Sequence, residues 1–382
     1  MEEKLIAVMI NEAGFEYDIH SLVKAFYPEC EVKVFVEGEK AYSSAEGLPD
    51  VSLTFSEDAI LLGIVAVGEE KNSSAFRGMK IGLKPDMERP EVKNTLKQLI
   101  YTALSEHTGK ELPWGTLTGI RPTKIPMQML EEGKTEDEIL TYMQETYYVS
   151  EEKGNLSLEI AKREKELLST LHYKDGYSLY IGIPFCPTTC LYCSFTSYPI
   201  VSWKKRMDDY LTALEKEIDF TAEMYKDKVL DTVYMGGGTP TTLEAEELDR
   251  LLGYLKQKLD FSCVQEFTVE AGRADSITRE KLEVLKKWGV TRISVNPQTM
   301  HDETLKVIGR QHTVEQAKEA YKLAREVGFI NINMDLILGL PGEGEAEVAS
   351  TIEQVKELAP DSLTVHSLAI KRGSRLNQWI EE

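Results

Sequence analysis

Three cysteines stand close together in the chain: Cys186, Cys190 and Cys193, with three and then two residues between them. Thiolates are the preferred protein ligands of iron–sulfur clusters. Three on one short loop can reach three corners of a cubane, which leaves the fourth iron open to a small molecule. That open position separates a catalytic cluster from a four-cysteine electron carrier. Zinc also accepts thiolates, but a structural zinc site wants four ligands, often as paired clusters. There is no second cysteine pair, so His312 or His366 would have to complete such a site. Cys30 and Cys263 are isolated and read as structural or incidental, since a free cysteine usually packs as a small apolar group. Five cysteines so distributed make a poor disulfide framework and suit a reducing compartment.

Other residues with chemical meaning fall at the ends of apolar runs. Gly236-Gly237-Gly238-Thr239 follows one such run, and glycines let a backbone approach a ligand with no side chain between. Asp335 sits inside an apolar segment, where a charge is costly unless paired or functional. The stretch 113–124 is rich in Gly, Pro and Thr and carries Arg121 and Lys124. It reads as a domain connection, or as a lid or anion contact beside the active site.

The elements that must position these residues divide into three regions. Residues 1–88 alternate strand-like segments (Leu5 to Ile10, Val32 to Val36, Val51 to Phe55, Ile60 to Val67, Met79 to Leu83) with a helix at 15–26, a small α+β domain. Residues 89–175 are mainly helical, with a helix from Pro90 and others at roughly 124–147 and 150–171. From 176 to 382, strands at 179–183, 230–235, 266–271, 291–296, 331–337 and 362–368 alternate with helices at 203–226, 244–258, 278–288, 313–327 and 343–358. Helix 203–226 is expected to bury Met207, Tyr210, Leu211, Leu214, Ile218 and Met224 on one face. Repeated β–α units with near-continuous apolar strands imply a parallel sheet covered by helices. Six units are too few for a closed eight-unit barrel; a partial barrel or an open doubly wound sheet remains, and both place chemistry at the strands' carboxyl ends.

From about residue 178 to 375 the chain resembles the radical S-adenosylmethionine superfamily. Within it, the chain is similar to the oxygen-independent coproporphyrinogen III oxidase-like group, in the coproporphyrinogen-dehydrogenase-like branch with an N-terminal extension. The resemblance rests on the cysteine spacing, on Tyr-Ile-Gly-Ile-Pro-Phe-Cys from Tyr180, on the Gly236–Pro240 segment, and on Glu270, Gln298, Arg310 and Asp335 in order. It implies an α/β fold, a partial (β/α)6 TIM-like barrel preceded by a smaller α+β domain. It implies a 4Fe-4S cluster on Cys186, Cys190 and Cys193 that cleaves S-adenosyl-L-methionine. Tyr180 would pack at the cluster and Tyr192 would touch the adenine. The backbone of Gly236, Gly237, Gly238 and Thr239 would bind the methionine amino group. Glu270 and Gln298 would bond the ribose, Arg310 the methionine carboxylate, and Asp335 would face the adenosyl group.

The implied reaction is oxidative decarboxylation of porphyrinogen propionates to vinyl groups by a 5′-deoxyadenosyl radical. A flavodoxin- or ferredoxin-type donor would reduce the cluster. Arg121, Lys124 and Arg273 are candidate partners for the tetrapyrrole's carboxylates. A heme chaperone of the same superfamily, or a radical enzyme acting on another tetrapyrrole, are the alternatives. The oxidase proper has a fourth cysteine where this chain has Phe195, and a histidine where it has Gly182. Asn296-Pro297-Gln298 replaces the usual Gly-Val-Gln. Relatives carry a further C-terminal domain, so the chain reads as a fragment or a short member.

The formal net charge of −20 argues against a nucleic-acid partner, whose phosphates such a surface repels. No apolar run reaches the ~18–20 residues of a membrane span. The acidic start Met1-Glu2-Glu3-Lys4 lacks the basic region of a secretory signal, so a cytoplasmic location is expected.

Overall fold

A computed structural model describes residues 5–38, 50–64 and 77–381. The chain divides into two compact units, Met1–Leu168 and Ser169–Glu382.

The first unit opens with β1 (Leu5–Ile10), α1 (Glu16–Phe26), β2 (Glu31–Val36), β3 (Val51–Phe55), β4 (Ala59–Ile64) and β5 (Arg77–Gly82). Its sheet has the order β2-β1-β3-β4-β5, with β1 parallel to both neighbours and β3-β4-β5 an antiparallel meander. The strand expected over 60–67 pairs as far as Ile64; residues 65–67 lie outside the described residues. Helix α2 (Arg89–Thr108) starts at Arg89-Pro90, where a missing N–H costs nothing. Its Leu96, Ile100 and Leu104 are fully buried against Ile6, Val8, Ile10 and Phe26, so sheet and helix share one core. The segment 124–147 is two helices, α3 (Lys124–Glu131) and α4 (Glu136–Tyr147), separated at Gly133 with φ +80°. Thr135 caps the second, its hydroxyl accepting the Glu138 N–H. Helix α5 (Glu151–Leu168) completes a small helical cluster around Ile139, Met143 and Leu158. Among the described residues no helix is long and apolar enough to cross a membrane.

The second unit is built on a six-stranded, wholly parallel sheet. Its elements are β6 (Gly176–Ile183), the short β7 (Phe185–Cys186) and β8 (Tyr198–Pro199), α6 (Met207–Met224), β9 (Val229–Gly237), α7 (Ala245–Lys258), β10 (Glu266–Gly272), α8 (Arg279–Lys287), β11 (Arg292–Val295), α9 (Asp302–Val307), α10 (Val314–Val327), β12 (Ile332–Leu338), α11 (Glu345–Leu358), β13 (Ser362–Ser367) and α12 (Arg375–Glu381). The strand order β6-β9-β10-β11-β12-β13 follows the chain without a reversal. A doubly wound sheet would reverse direction at a switch point; an uninterrupted order is that of a barrel, here six units long.

Side chains alternate along each strand. Val233 and Met235, Phe267 and Val269, Ile293 and Val295, and Met334 and Leu336 pack outward into the layer of helices with Leu211, Leu251, Leu252, Leu282 and Ala324. The opposite face is polar: Tyr234, Thr268, Glu270, Ser294, Asn333 and Asp335. Asn333 ties that face together, donating to Asp335 Oδ1 at 2.7 Å and accepting from Ser362 at 2.9 Å and Thr364 at 3.2 Å. The strands are therefore less uniformly apolar than their composition suggested. Helix α6 begins at Met207 and buries Met207, Leu211 and Ile218, but Met224 is exposed, a correction to the expected face.

Candidate active site

At the carboxyl ends of these strands lies a cavity of about 630 Å³. It brings together Cys186, Cys190, Cys193, Tyr180, Tyr192, Gly237, Gly238, Thr239, Glu270, Arg273, Gln298, Arg310 and Asp335. These residues are dispersed over more than 150 positions of the sequence but occupy successive strand ends. Arg121 and Lys124 lie in the first unit, exposed near the start of α3, and are not among the lining residues.

The cysteine loop is held at several points. Cys186 belongs to β7, which pairs in parallel with β8, so the loop closes on itself. The Leu191 N–H donates to Ile308 O at 2.9 Å, and Leu191 O accepts from Leu376 N. The Thr239 hydroxyl donates to Cys186 Sγ at 3.5 Å. Burial pushes the Cys186 and Cys193 thiols up, the Thr239 hydrogen bond opposing it at Cys186. A bound cluster would displace those protons, because only thiolates ligate. Among the described residues no three or more His, Cys, Asp or Glu side chains are spaced to hold a single metal ion.

Gly236 does not line the cavity. A Cβ there would lie 2.7 Å from the Tyr234 ring and 3.0 Å from the Glu270 carboxylate. Glycine at 236 therefore makes room for a pair: the Tyr234 hydroxyl donates to Glu270 Oε1 at 2.5 Å, and its ring stacks on Tyr180 at 5.7 Å. Burial raises the Glu270 carboxyl, the Tyr234 hydrogen bond opposes it, and the nearby Asp335 adds to it. Gln298 is buried and sits at φ +71°, a region that costs a non-glycine residue ~1–2 kcal/mol. Its backbone is fixed there by exchange with β12: Gln298 N–H donates to Asp335 O, and Ile337 N–H donates to Gln298 O, each at 2.9 Å.

Arg310 is buried, donating from Nη1 to Asn296 O at 2.6 Å and from Nη2 to the Tyr192 hydroxyl at 3.3 Å. Its Nε, with Asn296 Oδ1 and Ser197 Oγ, is buried without a hydrogen-bond partner among the described residues. Such orphaned groups are costly unless a ligand meets them. Three thiols on one cavity wall, with three orphaned polar atoms of its lining residues buried behind it, fit a cluster and a polar small molecule bound together.

Arg273, expected as a substrate contact, is almost wholly buried, and its donors are spent within the protein. Nε and Nη2 bind the two Asp275 oxygens at 2.9 and 2.7 Å, and Nη1 reaches Thr188 Oγ1 and O at 2.6 and 3.1 Å. Sequence reasoning did not place His366, in β13, or Lys371, after it, on the cavity lining; His366 was weighed only as a zinc ligand, and Phe195, an exposed aromatic on the same lining, only as the replacement of a cysteine. The rule applied to the other strands, that function gathers at carboxyl ends, would have found the first two.

Residues 180–355 match the radical SAM superfamily sequence profile. The oxygen-independent coproporphyrinogen-III oxidase-like protein HemZ of Bacillus subtilis is 40% identical over 379 residues, 97% of this chain and 74% of that protein. The heme chaperone HemW of Bacillus subtilis is 40% identical over 195 residues, 51% of this chain and 51% of that protein, so the chain spans about half the chaperone's length. A solved structure titled "Coproporphyrinogen III oxidase (HemN) from Escherichia coli is a Radical SAM enzyme" matches 56% of this chain and 54% of its own at 28% identity, with a TM-score of 0.48. The chain belongs to the radical SAM superfamily, whose members use a 4Fe-4S cluster and S-adenosylmethionine, and within it to the oxygen-independent coproporphyrinogen-III oxidase-like proteins.

Proposed function

We propose that this protein removes carboxylates oxidatively from a porphyrinogen, converting coproporphyrinogen III propionates to vinyl groups as a step toward heme. The observation that carries the reading is the cavity lined by Cys186, Cys190, Cys193 and Arg310, whose buried Nε has no hydrogen-bond partner among the described residues. The three cysteines would hold the cluster, and Tyr180, Tyr192, the Gly237–Thr239 backbone, Glu270, Gln298, Arg310 and Asp335 would contact S-adenosylmethionine. When bound, that pair supplies a 5′-deoxyadenosyl radical able to abstract hydrogen from a propionate carbon. The Arg310 fork suits a carboxylate, and Glu270, held by Tyr234, presents its remaining oxygen to a hydroxyl. Of the long cationic side chains on the lining, Arg273 is committed within the protein and Arg310 is assigned to the methionine carboxylate, while Lys371 has no ion-pair partner among the described residues. Lys371, beside His366, is the group that would meet a propionate. A flavodoxin or ferredoxin in the cytoplasm would deliver the electron that cleaves S-adenosylmethionine, and a one-electron acceptor would take the electron that the substrate radical gives up as it loses carbon dioxide.

The second reading is a heme chaperone. The 40% identity to HemW over half the chain favours it.

Mass spectrometry of one anaerobic reaction decides between them. It contains reconstituted protein, a strong reductant, S-adenosylmethionine and coproporphyrinogen III. Stepwise loss of two carboxyl groups with 5′-deoxyadenosine formed is the expected result. 5′-Deoxyadenosine with untouched porphyrinogen would mean another substrate. Neither change in cluster-loaded protein, with heme binding by absorbance titration, would install the chaperone reading. Cys190→Ala should abolish 5′-deoxyadenosine; if it persists, the cluster assignment is wrong.

A further inference from the structure

Resting on the cluster reading above, we propose that Arg273 is a positioning residue that holds the three-cysteine loop in the shape the cluster requires. Thr188 lies between Cys186 and Cys190, at the middle of that loop. Arg273 grips it twice, through Oγ1 at 2.6 Å and the carbonyl at 3.1 Å. The Thr188 hydroxyl, while accepting from Arg273, donates onward to Gly309 O at 3.0 Å. The loop is thus fastened at one residue to two other segments, the end of β10 and the turn after α9.

The guanidinium is itself fixed. Asp275 binds it in a two-point fork, and the pair is buried, Arg273 being 2% exposed. His312 closes the far side, its Nδ1 3.9 Å from Asp275 Oδ1. A buried ion pair gains little net stability over apolar packing, because both charges lose water. What this pair supplies is direction. A planar fork oriented by Asp275 presents Nη1 to Thr188 in one geometry, and a lysine ammonium has no such plane. The same commitment removes Arg273 from contact with substrate.

The test uses the full chain, reconstituted anaerobically with iron and sulfide, as wild type, Arg273→Lys and Thr188→Val. Three quantities are read: iron per chain, the rate of iron loss to a chelator, and the EPR spectrum of the reduced cluster with and without S-adenosylmethionine. Unfolding of the apo protein is followed alongside. Thr188→Val keeps the shape and the Arg273–Asp275 pair but removes the gripped hydroxyl, so it covers the case in which Arg273→Lys fails to fold. Loss of a partner behind a metal ligand typically weakens metal binding ~10–100-fold. We expect at least about tenfold faster iron loss and an altered EPR response to S-adenosylmethionine in both variants, with apo unfolding of Thr188→Val close to wild type. Wild-type iron retention and EPR in a folded Thr188→Val overturns the proposal. Wild-type protein that takes up no iron overturns the cluster reading, and the clamp with it.

Discussion

Gly238 gives the sharpest test of how the cavity is built. It is the third glycine of the run that closes β9, directly after Gly237, and its N–H donates to Ile183 O at 2.8 Å, while the next N–H, of Thr239, donates to Phe185 O at 2.7 Å. A methyl group at 238 would lie 2.5 Å from Phe185 O, 2.9 Å from Phe185 C and 3.0 Å from Ile183 O. All three are backbone atoms, so no side chain can swing away. To reach an ordinary contact near ~3.5 Å the Phe185 peptide must retreat by about 1 Å. Phe185 immediately precedes Cys186, so the shift passes to a thiol. Overpacking of this kind costs ~1–3 kcal/mol, and straining the two flanking hydrogen bonds adds ~1 kcal/mol. For a unit of this size, the lower end of that sum, ~2 kcal/mol, lowers Tm by roughly 4–8 °C. The assay is thermal unfolding of apo Gly238→Ala by circular dichroism, with iron content after reconstitution. Gly119→Ala, where the methyl meets open space, is the control and should change neither. A Gly238→Ala protein with wild-type Tm and full iron would refute the claim that the backbone is held tight behind Cys186.

Three further outcomes follow from the site and the residues behind it. The Glu270 carboxyl is raised by burial, so the folded state holds its proton more tightly than the unfolded state and stability falls as pH rises above the ordinary carboxylate range. Tyr234→Phe removes the bond that moderates this; chemical denaturation should show a loss of ~1.5–3 kcal/mol near pH 8 and a smaller one near pH 4. His312 is buried and held down to about 4, by burial first and by Arg310 second. Its neutral form is favoured when folded, so its contribution is full above the unfolded value and is lost as pH falls; between pH 6.5 and 5 that is about 2 kcal/mol. A His312→Gln protein should lack that part of the slope, and an unchanged slope in denaturation curves would locate the acid sensitivity elsewhere. Lys371→Glu should weaken coproporphyrin III binding by about tenfold or more, read by fluorescence titration. Equal affinity in the variant would remove Lys371 from substrate recognition, whereas no binding by wild type would count against the porphyrinogen reading itself.

The cysteine loop and the glycine run stood out because each is a local pattern, and the strand-end positions of Glu270, Gln298, Arg310 and Asp335 were picked out through the family resemblance. Ligand spacing is set within one loop, and a strand followed by a helix places its last residues at one edge of a parallel sheet wherever the sheet sits. The alternation of elements was enough for a partial barrel, and the uninterrupted strand order is what excluded the doubly wound sheet. Side-chain partnerships were another matter. Arg273 looked available to substrate because it follows a strand end, yet its partner Thr188 is 85 residues away. Tyr234 and Glu270 are 36 apart, and nothing in either segment announces that Gly236 must be small to let them meet. Met224 continued a helical stripe that the packing of α6 leaves in solvent. Residue type and spacing thus pointed to a thiolate-bound cluster, since those depend on near neighbours, and the family resemblance supplied the rest of the expected chemistry. Only the tertiary structure decided which charged groups were free to use it, because a hydrogen bond between distant segments exists once the sheet has brought their ends together and not before.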